Sequence, residues 1–250
     1  MKIRIQKLLS DSGVASRRHV EEMILDGRIT VNGALVTDLP CFVDPDHDDI
    51  RLDSQPVRKR PARYAYILLN KPRGVVCTHE DPAGRPRAVD LAPAKGLRLY
   101  TVGRLDVEST GLVLLTNDGE LTQYLTHPRY GVTKTDLAEV AGHLSEQEMA
   151  RLKGGTYLEG RRTRPLRVKV VRRHREGCLL EIRVCEGPNR QLRRILAALG
   201  HKVLRLKRVA IGPITDRGLK IGHFRFLKPA EVAKLRRCGR MPAGEESPRR

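Results

Sequence analysis

The sequence predicts an α+β chain built in two parts, and three observations carry that reading. The first 54 residues read as two short amphipathic helices followed by a hairpin. Residues 55–64 contain Arg58-Lys59-Arg60-Pro61 and show no periodicity, which marks a linker. From residue 65 to 238, aliphatic and alternating strands are interleaved with short helices, and residues 239–250 are expected to form a disordered tail. A chain of 250 residues holds one domain of ordinary size and a small one. Its 40% hydrophobic content suffices for a core, although only 4% of residues are aromatic and none is Trp.

Each element has a local reason. Ile5, Leu8 and Leu9 with Gly13 as a stop predict a helix over Ile3 to Leu9. Ser16 is placed to cap a second helix whose stripe is Val20, Met23 and Ile24. Ile29-Thr30-Val31 before Asn32-Gly33 predicts a strand and tight turn, with Val36 on the return. Short strands follow at Phe42-Val43 and Ile50 to Leu52, separated by acidic residues. Tyr66 to Leu69 predicts a buried strand, Asn70 to Gly74 a turn, Val75 to Thr78 another strand, and His79 to Arg87 a polar loop. Leu112 to Leu115 is an unbroken aliphatic run, expected to be buried on both faces, and Asn117-Asp118-Gly119 turns the chain. Leu121 to Leu125 predicts a helix, and Ser145 with Glu148 forms a capping box for another to Leu152. Leu166 to Val171 and Cys178 to Val184 alternate as half-exposed strands, with Arg167, Lys169 and Arg183 outward. A basic loop leads into the apolar helix Ile195 to Leu199, stopped by Gly200. Val203 to Val209 alternates as a strand presenting Arg205, Lys207 and Arg208, and Glu231 to Arg237 predicts a basic helix.

Charge narrows the function. The net charge is +19, yet residues 1–60 balance ten Lys/Arg against ten Asp/Glu, whereas residues 151–240 hold 26 against six. An excess confined to one lobe points to a polyanionic partner, and a phosphate-binding face follows. No apolar run reaches the length of a membrane span and no signal-peptide core is present, so a soluble cytoplasmic protein is expected. A membrane-surface role is disfavoured because no segment pairs a basic face with a strongly apolar one. The five cysteines form no Cys-x-x-Cys pair, so neither a zinc site nor a disulfide framework is expected.

The stretch Gly103-Arg104-Leu105-Asp106 to Asn117-Asp118-Gly119-Glu120 organises the rest. It presents Asp106 from a loop entering a buried strand, a rigid place for a carboxylate. Together with Leu69 to Gly74, Gly187 to Arg194 and Arg205 to Gly212, in that order, it resembles the bacterial ribosomal-RNA pseudouridine synthases over residues 3–237. The N-terminal pattern, Ile5 to Leu9, Ala15 to Arg18 and Gly27 to Gly33, is similar to the small RNA-binding domain of ribosomal protein S-four type. That module lacks a second recognition helix, which disfavours a DNA-binding regulator.

The resemblance implies a mostly antiparallel, bent mixed sheet flanked by helices, and a reaction without cofactor or metal. A uridine in RNA has its glycosidic bond broken, its base rotated, and the bond reformed through carbon 5. Asp106 falls on the family's nucleophile and Arg193 on its basic partner. Substrate contacts are expected from Arg104, Asn70, Lys71, Asn189, Arg190, Gln191, Leu204 and Lys207, with Leu204 or Leu206 as an apolar wall. Contacts along the RNA backbone are expected from Lys7, Arg17, Arg18, Arg28, Arg194, Arg205 and Arg208. Large-subunit rather than small-subunit rRNA, or a ribosome precursor, is the expected partner of a monomeric enzyme. One position departs from the pattern: the family's base-stacking tyrosine is replaced by Asp136, in Lys134-Thr135-Asp136. Tyr130 from a shifted loop, Asp136 as a proton acceptor, and a non-catalytic RNA-binding or assembly factor on the same scaffold are the open alternatives.

Overall fold

A computed structural model describes residues 2–58, 63–92, 96–158, 160–185 and 190–239. The chain divides into two compact units, one of Met1–Ala65 with Ala94–Leu99 and Asn117–Gly119, the other of the remainder. The anticipated tail lies, apart from Gly239, outside the described residues.

The first unit begins with β1 (Ile3–Arg4), α1 (Ile5–Asp11) and α2 (Arg17–Leu25). The expected first helix therefore starts two residues late, because Ile3 and Arg4 pair with Val43 and Phe42. Ser16 caps α2 by accepting from the His19 N–H. The strands β2 (Ile29–Val31), β3 (Ala34–Leu35), β4 (Phe42–Val43), β5 (Ile50–Leu52) and β6 (Gln55–Pro56) complete it. Asn32 and Gly33 both take positive φ, as the tight turn between β2 and β3 requires. Ile5, Leu9, Val20, Ile24, Ile29, Val43 and Ile50 close into one core.

The second unit is built on a nine-stranded sheet. Its strands are β7 (Tyr66–Lys71), β8 (Tyr100–Val102), β9 (Thr110–Thr116), β10 (Lys134–Ala141), β13 (Arg167–His174), β14 (Gly177–Val184), β15 (Val203–Ile211), β16 (Ile214–Thr215) and β17 (Phe224–Phe226). A separate hairpin holds β11 (Tyr157–Leu158) and β12 (Arg161–Arg162). Helices α3 (Gly119–Thr126), α4 (Glu146–Gly154), α5 (Gln191–Ala198) and α6 (Pro229–Leu235) flank the sheet. The main order is β13-β14-β10-β15-β9-β7-β17, with β16 on β15 and β8 on β9. Every pairing is antiparallel except that of β15 with β9. One core packs α4 and α5 on β10, β13, β14 and β15, and a second packs α3 and α6 on β7 and β9.

Two strands depart from expectation. Val75 to Thr78 is no strand; only Val76 bridges to Arg87, and the Val75 carbonyl is instead taken by the Lys71 ammonium at 2.8 Å. Conversely, β10 lies in the middle of the sheet, although its sequence shows little apolar alternation. Its inward positions begin with Lys134 and Asp136, both nearly fully buried, and only then reach Ala138 and Val140. Charges at core positions hide the period of two that reveals a strand. β15 carries two further irregularities against β10, which leave Leu204 and Val209 as the extra residues.

Candidate active site

The loop before β9 is shaped by its backbone. Gly103 takes a φ of 73°, and Ser109 N–H donates to the Asp106 carbonyl at 3.0 Å, closing a turn. Gly74 N–H donates to the Val107 carbonyl at 2.8 Å, tying the Pro-Gly turn after β7 to the same loop. Asp106 is thereby presented at the head of a fully hydrogen-bonded strand, with its side chain 18% exposed.

Two guanidinium groups reach it from α5 and the residue before it. Arg193 Nε lies 3.7 Å and Arg190 Nη1 3.9 Å from Asp106 Oδ2. The same arginines approach Glu108 Oε2 at 3.9 and 3.7 Å. These distances are ion pairs rather than hydrogen bonds, so the cations hold the carboxylates by charge while leaving their lone pairs to other partners. Arg193 is itself anchored, its Nη1 donating to the Val203 carbonyl at 3.1 Å. Arg190 sits in the left-handed region at φ 54° as the residue before α5, which turns its side chain back toward the Asp106 loop.

The cleft around Asp106 has a volume of about 220 Å³. Arg104, Asp106, Arg190, Gln191, Arg193, Leu206 and Arg208 all line it, so much of the predicted set is brought together. Of the two apolar candidates, Leu206 is in the wall, whereas Leu204 is 49% exposed at a strand irregularity and is not. Lys207 points away and pairs with Asp216 at 2.5 Å. Asn189 lies outside the described residues.

Asn70 and Lys71 are not in the cleft wall. Asn70 is buried, donating to the Leu219 carbonyl at 2.7 Å, and Lys71 is wholly buried, donating to the Pro72 and Val75 carbonyls at 3.0 and 2.8 Å. Burial pushes the Lys71 ammonium below its ordinary pKa, against the opposing charges of Cys77 and Asp106. Lys71 thus fastens the turn that follows β7, and Asn70 ties β7 to the Leu219 segment.

Arg208 is the other correction. It was expected on the outer side with Arg205 and Lys207, but from Arg205 to Arg208 the strand runs in unbroken register, which sets Arg208 on the face of Leu206 and level with Asp136. There its Nε and Nη2 donate to Asp136 Oδ1 and Oδ2 at 2.9 and 3.3 Å, inside the cleft. Arg205, by contrast, is 87% exposed, 3.6 Å from Glu139. Arg194 is half-buried on α5. In the first unit Arg17 and Arg18 are exposed, Lys7 pairs with Asp11 at 3.1 Å, and Arg28 binds Asp53 at 2.6 Å.

Sequence reasoning missed Glu108 and Ser109. Both stand within three residues of Asp106, so the turn itself was the available signal. Ser109 is 1% exposed, lines the cleft, and its hydroxyl finds no hydrogen-bond partner among the described residues. A buried hydroxyl left unmatched costs stability and marks a position where an incoming ligand can supply the partner.

Comparisons with known proteins agree with this geometry. Residues 65–198 match the family model described as RNA pseudouridylate synthase, and residues 3–46 match that of the S4 domain. A protein of Aquifex aeolicus, named an uncharacterized RNA pseudouridine synthase, is 42% identical, with 94% of each chain covered. Ribosomal large subunit pseudouridine synthase B of Bacillus subtilis is 39% identical over 93% of this chain and 95% of that protein. A solved pseudouridylate synthase superposes with a TM-score of 0.68 at 29% identity, covering 93% of this chain and 99% of the other. A cleft built on an aspartate loop, in a chain matched along nearly its whole length, thus belongs to an enzyme of the RNA pseudouridylate synthase family with an S4 domain at its N-terminal end.

Proposed function

We propose that this enzyme converts a uridine of ribosomal RNA, in the large subunit, to pseudouridine, with Asp106 as the nucleophile and no cofactor. The observation that carries the reading is the half-buried Asp106 carboxylate held between Arg190 and Arg193 at 3.7–3.9 Å in the cleft. A carboxylate that must stay ionised away from bulk water needs nearby positive charge, and attack needs its lone pairs unoccupied. Ion pairing without short hydrogen bonds meets both conditions. The rRNA substrate is supported by the S4 match and by the large-subunit name of the Bacillus subtilis relative.

The chemistry is an isomerisation with no net gain or loss of atoms or electrons. Asp106 attacks the nucleoside, the bond from the ribose to ring nitrogen breaks, and the uracil turns within the cleft. Carbon 5 then bonds to the ribose and gives up its proton to solvent or a base, the freed ring nitrogen takes up a proton in exchange, and Asp106 is released. Leu206 and Val184 supply apolar surface for the detached ring, and Ser109 Oγ a hydrogen-bonding group. Arg104, exposed at the rim, is positioned to hold a phosphate or fill the vacated stack.

Asp136 does not argue against activity. Its charge is neutralised by the Arg208 fork, so it adds no unpaired carboxylate beside Asp106.

A pseudouridine map of rRNA tests the proposal in cells lacking the gene, restored with wild type or with Asp106→Asn. One site is expected to vanish on deletion, return with wild type, and stay absent with the variant. Loss of no site, or rescue by Asp106→Asn, overturns the assignment. Purified Asp106→Asn is expected to bind the RNA with nearly unchanged affinity, since the change removes a nucleophile and no phosphate contact.

A further inference from the structure

The cleft wall holds a group that neither the charge of Asp106 nor the packing of the sheet accounts for. Asp136 on β10 and Arg208 on β15 form a two-point ion pair whose carboxylate side chain is 3% exposed and whose guanidinium is 11% exposed. Burying two charges costs desolvation that their attraction rarely exceeds, and an apolar pair of similar volume serves a fold as well or better. A pair maintained in a substrate cleft at that cost calls for a role toward the substrate.

Its geometry suggests which one. The fork uses Nε and Nη2 in the plane of the guanidinium, so the plane itself is fixed. A guanidinium held this way is a flat, weakly hydrated cation, and such planes stack on nucleobases. Its position is also tied to Asp106. Arg208 is the parallel partner of Gly111, five residues after Asp106. A Cβ at Gly111 would stand 2.2 Å from the Arg208 carbonyl oxygen and 2.5 Å from its nitrogen. The strand that leaves the Asp106 loop therefore runs against the Arg208 backbone at a distance only glycine permits.

We propose that the guanidinium plane of Arg208, locked by Asp136, is the platform on which the target uracil stacks while Asp106 reacts. The inference rests on the reading of the Asp106 cleft as the place where the uridine is held. Arg208 is then a substrate-contacting residue, and Asp136 a positioning residue that acts through it.

The test is a binding competition on the full chain carrying Asp106→Asn, so that the base is held without conversion. The probes are the rRNA fragment containing the mapped uridine and the same fragment with 5,6-dihydrouridine there, whose saturated ring is puckered but keeps both carbonyls and the ring N–H. The planar base is expected to bind roughly five- to a hundredfold tighter, the range for one stacked base. Adding Arg208→Lys, which keeps the charge opposite Asp136 but removes the plane, is expected to bring the ratio to about one with the thermal midpoint retained. Should that protein fail to fold, Asp136→Leu with Arg208→Met provides an apolar pair, and the preference must vanish there too. Equal binding with Arg208 intact, or a preference that survives either replacement, overturns the platform. Turnover of uridine by the Asp106→Asn protein would instead defeat the nucleophile assignment, a separate readout in the same samples.

Discussion

Arg193 shows how one side chain can be assigned to chemistry or to phosphate binding by measurement. Its Nε lies 3.7 Å from Asp106, while its Nη1 is bound to the Val203 carbonyl, so it is held by the sheet rather than free to track a backbone. Arg193→Lys keeps a charge but cannot make both contacts at once. The expected result is a kcat lower by roughly ten- to a hundredfold with RNA affinity little changed, because the loss falls on positioning of the reacting carboxylate. Unchanged kcat with weakened binding would make Arg193 a phosphate ligand. The sequence pattern already pointed to this residue, as it did to Asp106 and Arg190, because all three lie in contiguous motifs. Asn70 and Lys71 were equally visible and differently placed. Motif membership reports that a residue matters to the site, but not whether it faces the ligand or holds the loop from beneath. Only the hydrogen bonds of Lys71 to the Pro72 and Val75 carbonyls separate the two.

At the scale of elements, legibility followed hydrophobic period. β9 announces itself through an aliphatic run, β14 through alternation, and α4 through its capping box. β10 did not, since a strand whose inward residues include Lys134 and Asp136 offers no alternation to read. Arg208 was misplaced for a different reason: it directly follows the outward Lys207 and was grouped with it by charge, although the period of two sets it inward with Leu206. Gly111 is the element-level hinge of this arrangement, and Gly111→Ala sets a Cβ into the Arg208 backbone at a φ of 108°. It is expected to destabilise the protein by about 3 kcal/mol or more, read as a lower denaturation midpoint, with activity lost together with the β9–β15 pairing. A midpoint unchanged from wild type would mean that the strands can separate without cost. The α4 cap gives a pH signature. Glu148 accepts from Ser145 N–H at 2.7 Å and from its hydroxyl at 2.8 Å, and these hold its carboxyl at about 2 against an ordinary 4.5. A carboxyl lowered in the folded state stabilises above its unfolded value and loses that contribution as pH falls through the folded one. Denaturation midpoints of wild type and Glu148→Gln are therefore expected to differ at neutral pH and to converge between about 4.5 and 2. A gap constant across that range would place the effect elsewhere than in ionisation.

At the scale of the whole molecule, charge and connectivity divide the labour. Residues 151–240 carry the basic excess, while residues 1–60, which include the S4-matching segment, are formally neutral and keep Arg17 and Arg18 exposed on α2. Separate cores imply that removing the N-terminal segment of the first unit should weaken RNA binding without unfolding the second. The cut must be chosen with care, because Asn117, the residue after β9, is 7% exposed and takes its partners from the segment before β7. Its Oδ1 accepts from Ala65 N–H at 2.9 Å and its Nδ2 donates to the Arg63 carbonyl at 2.8 Å. A chain beginning at Arg63 keeps both bonds, whereas one beginning at Tyr66 leaves a buried amide unmatched, at a cost of about 1–3 kcal/mol. Both truncations are expected to bind rRNA more weakly than the full chain and with a shallower dependence on salt, since each has lost the same phosphate contacts. They should differ in stability alone, the shorter one melting several degrees lower. Equal melting would show that Asn117 finds other partners, and an unfolded product beginning at Arg63 would show that the second unit depends on the first. Salt slopes identical to that of the full chain would take the S4-matching segment out of RNA binding and leave the basic lobe to hold the substrate by itself.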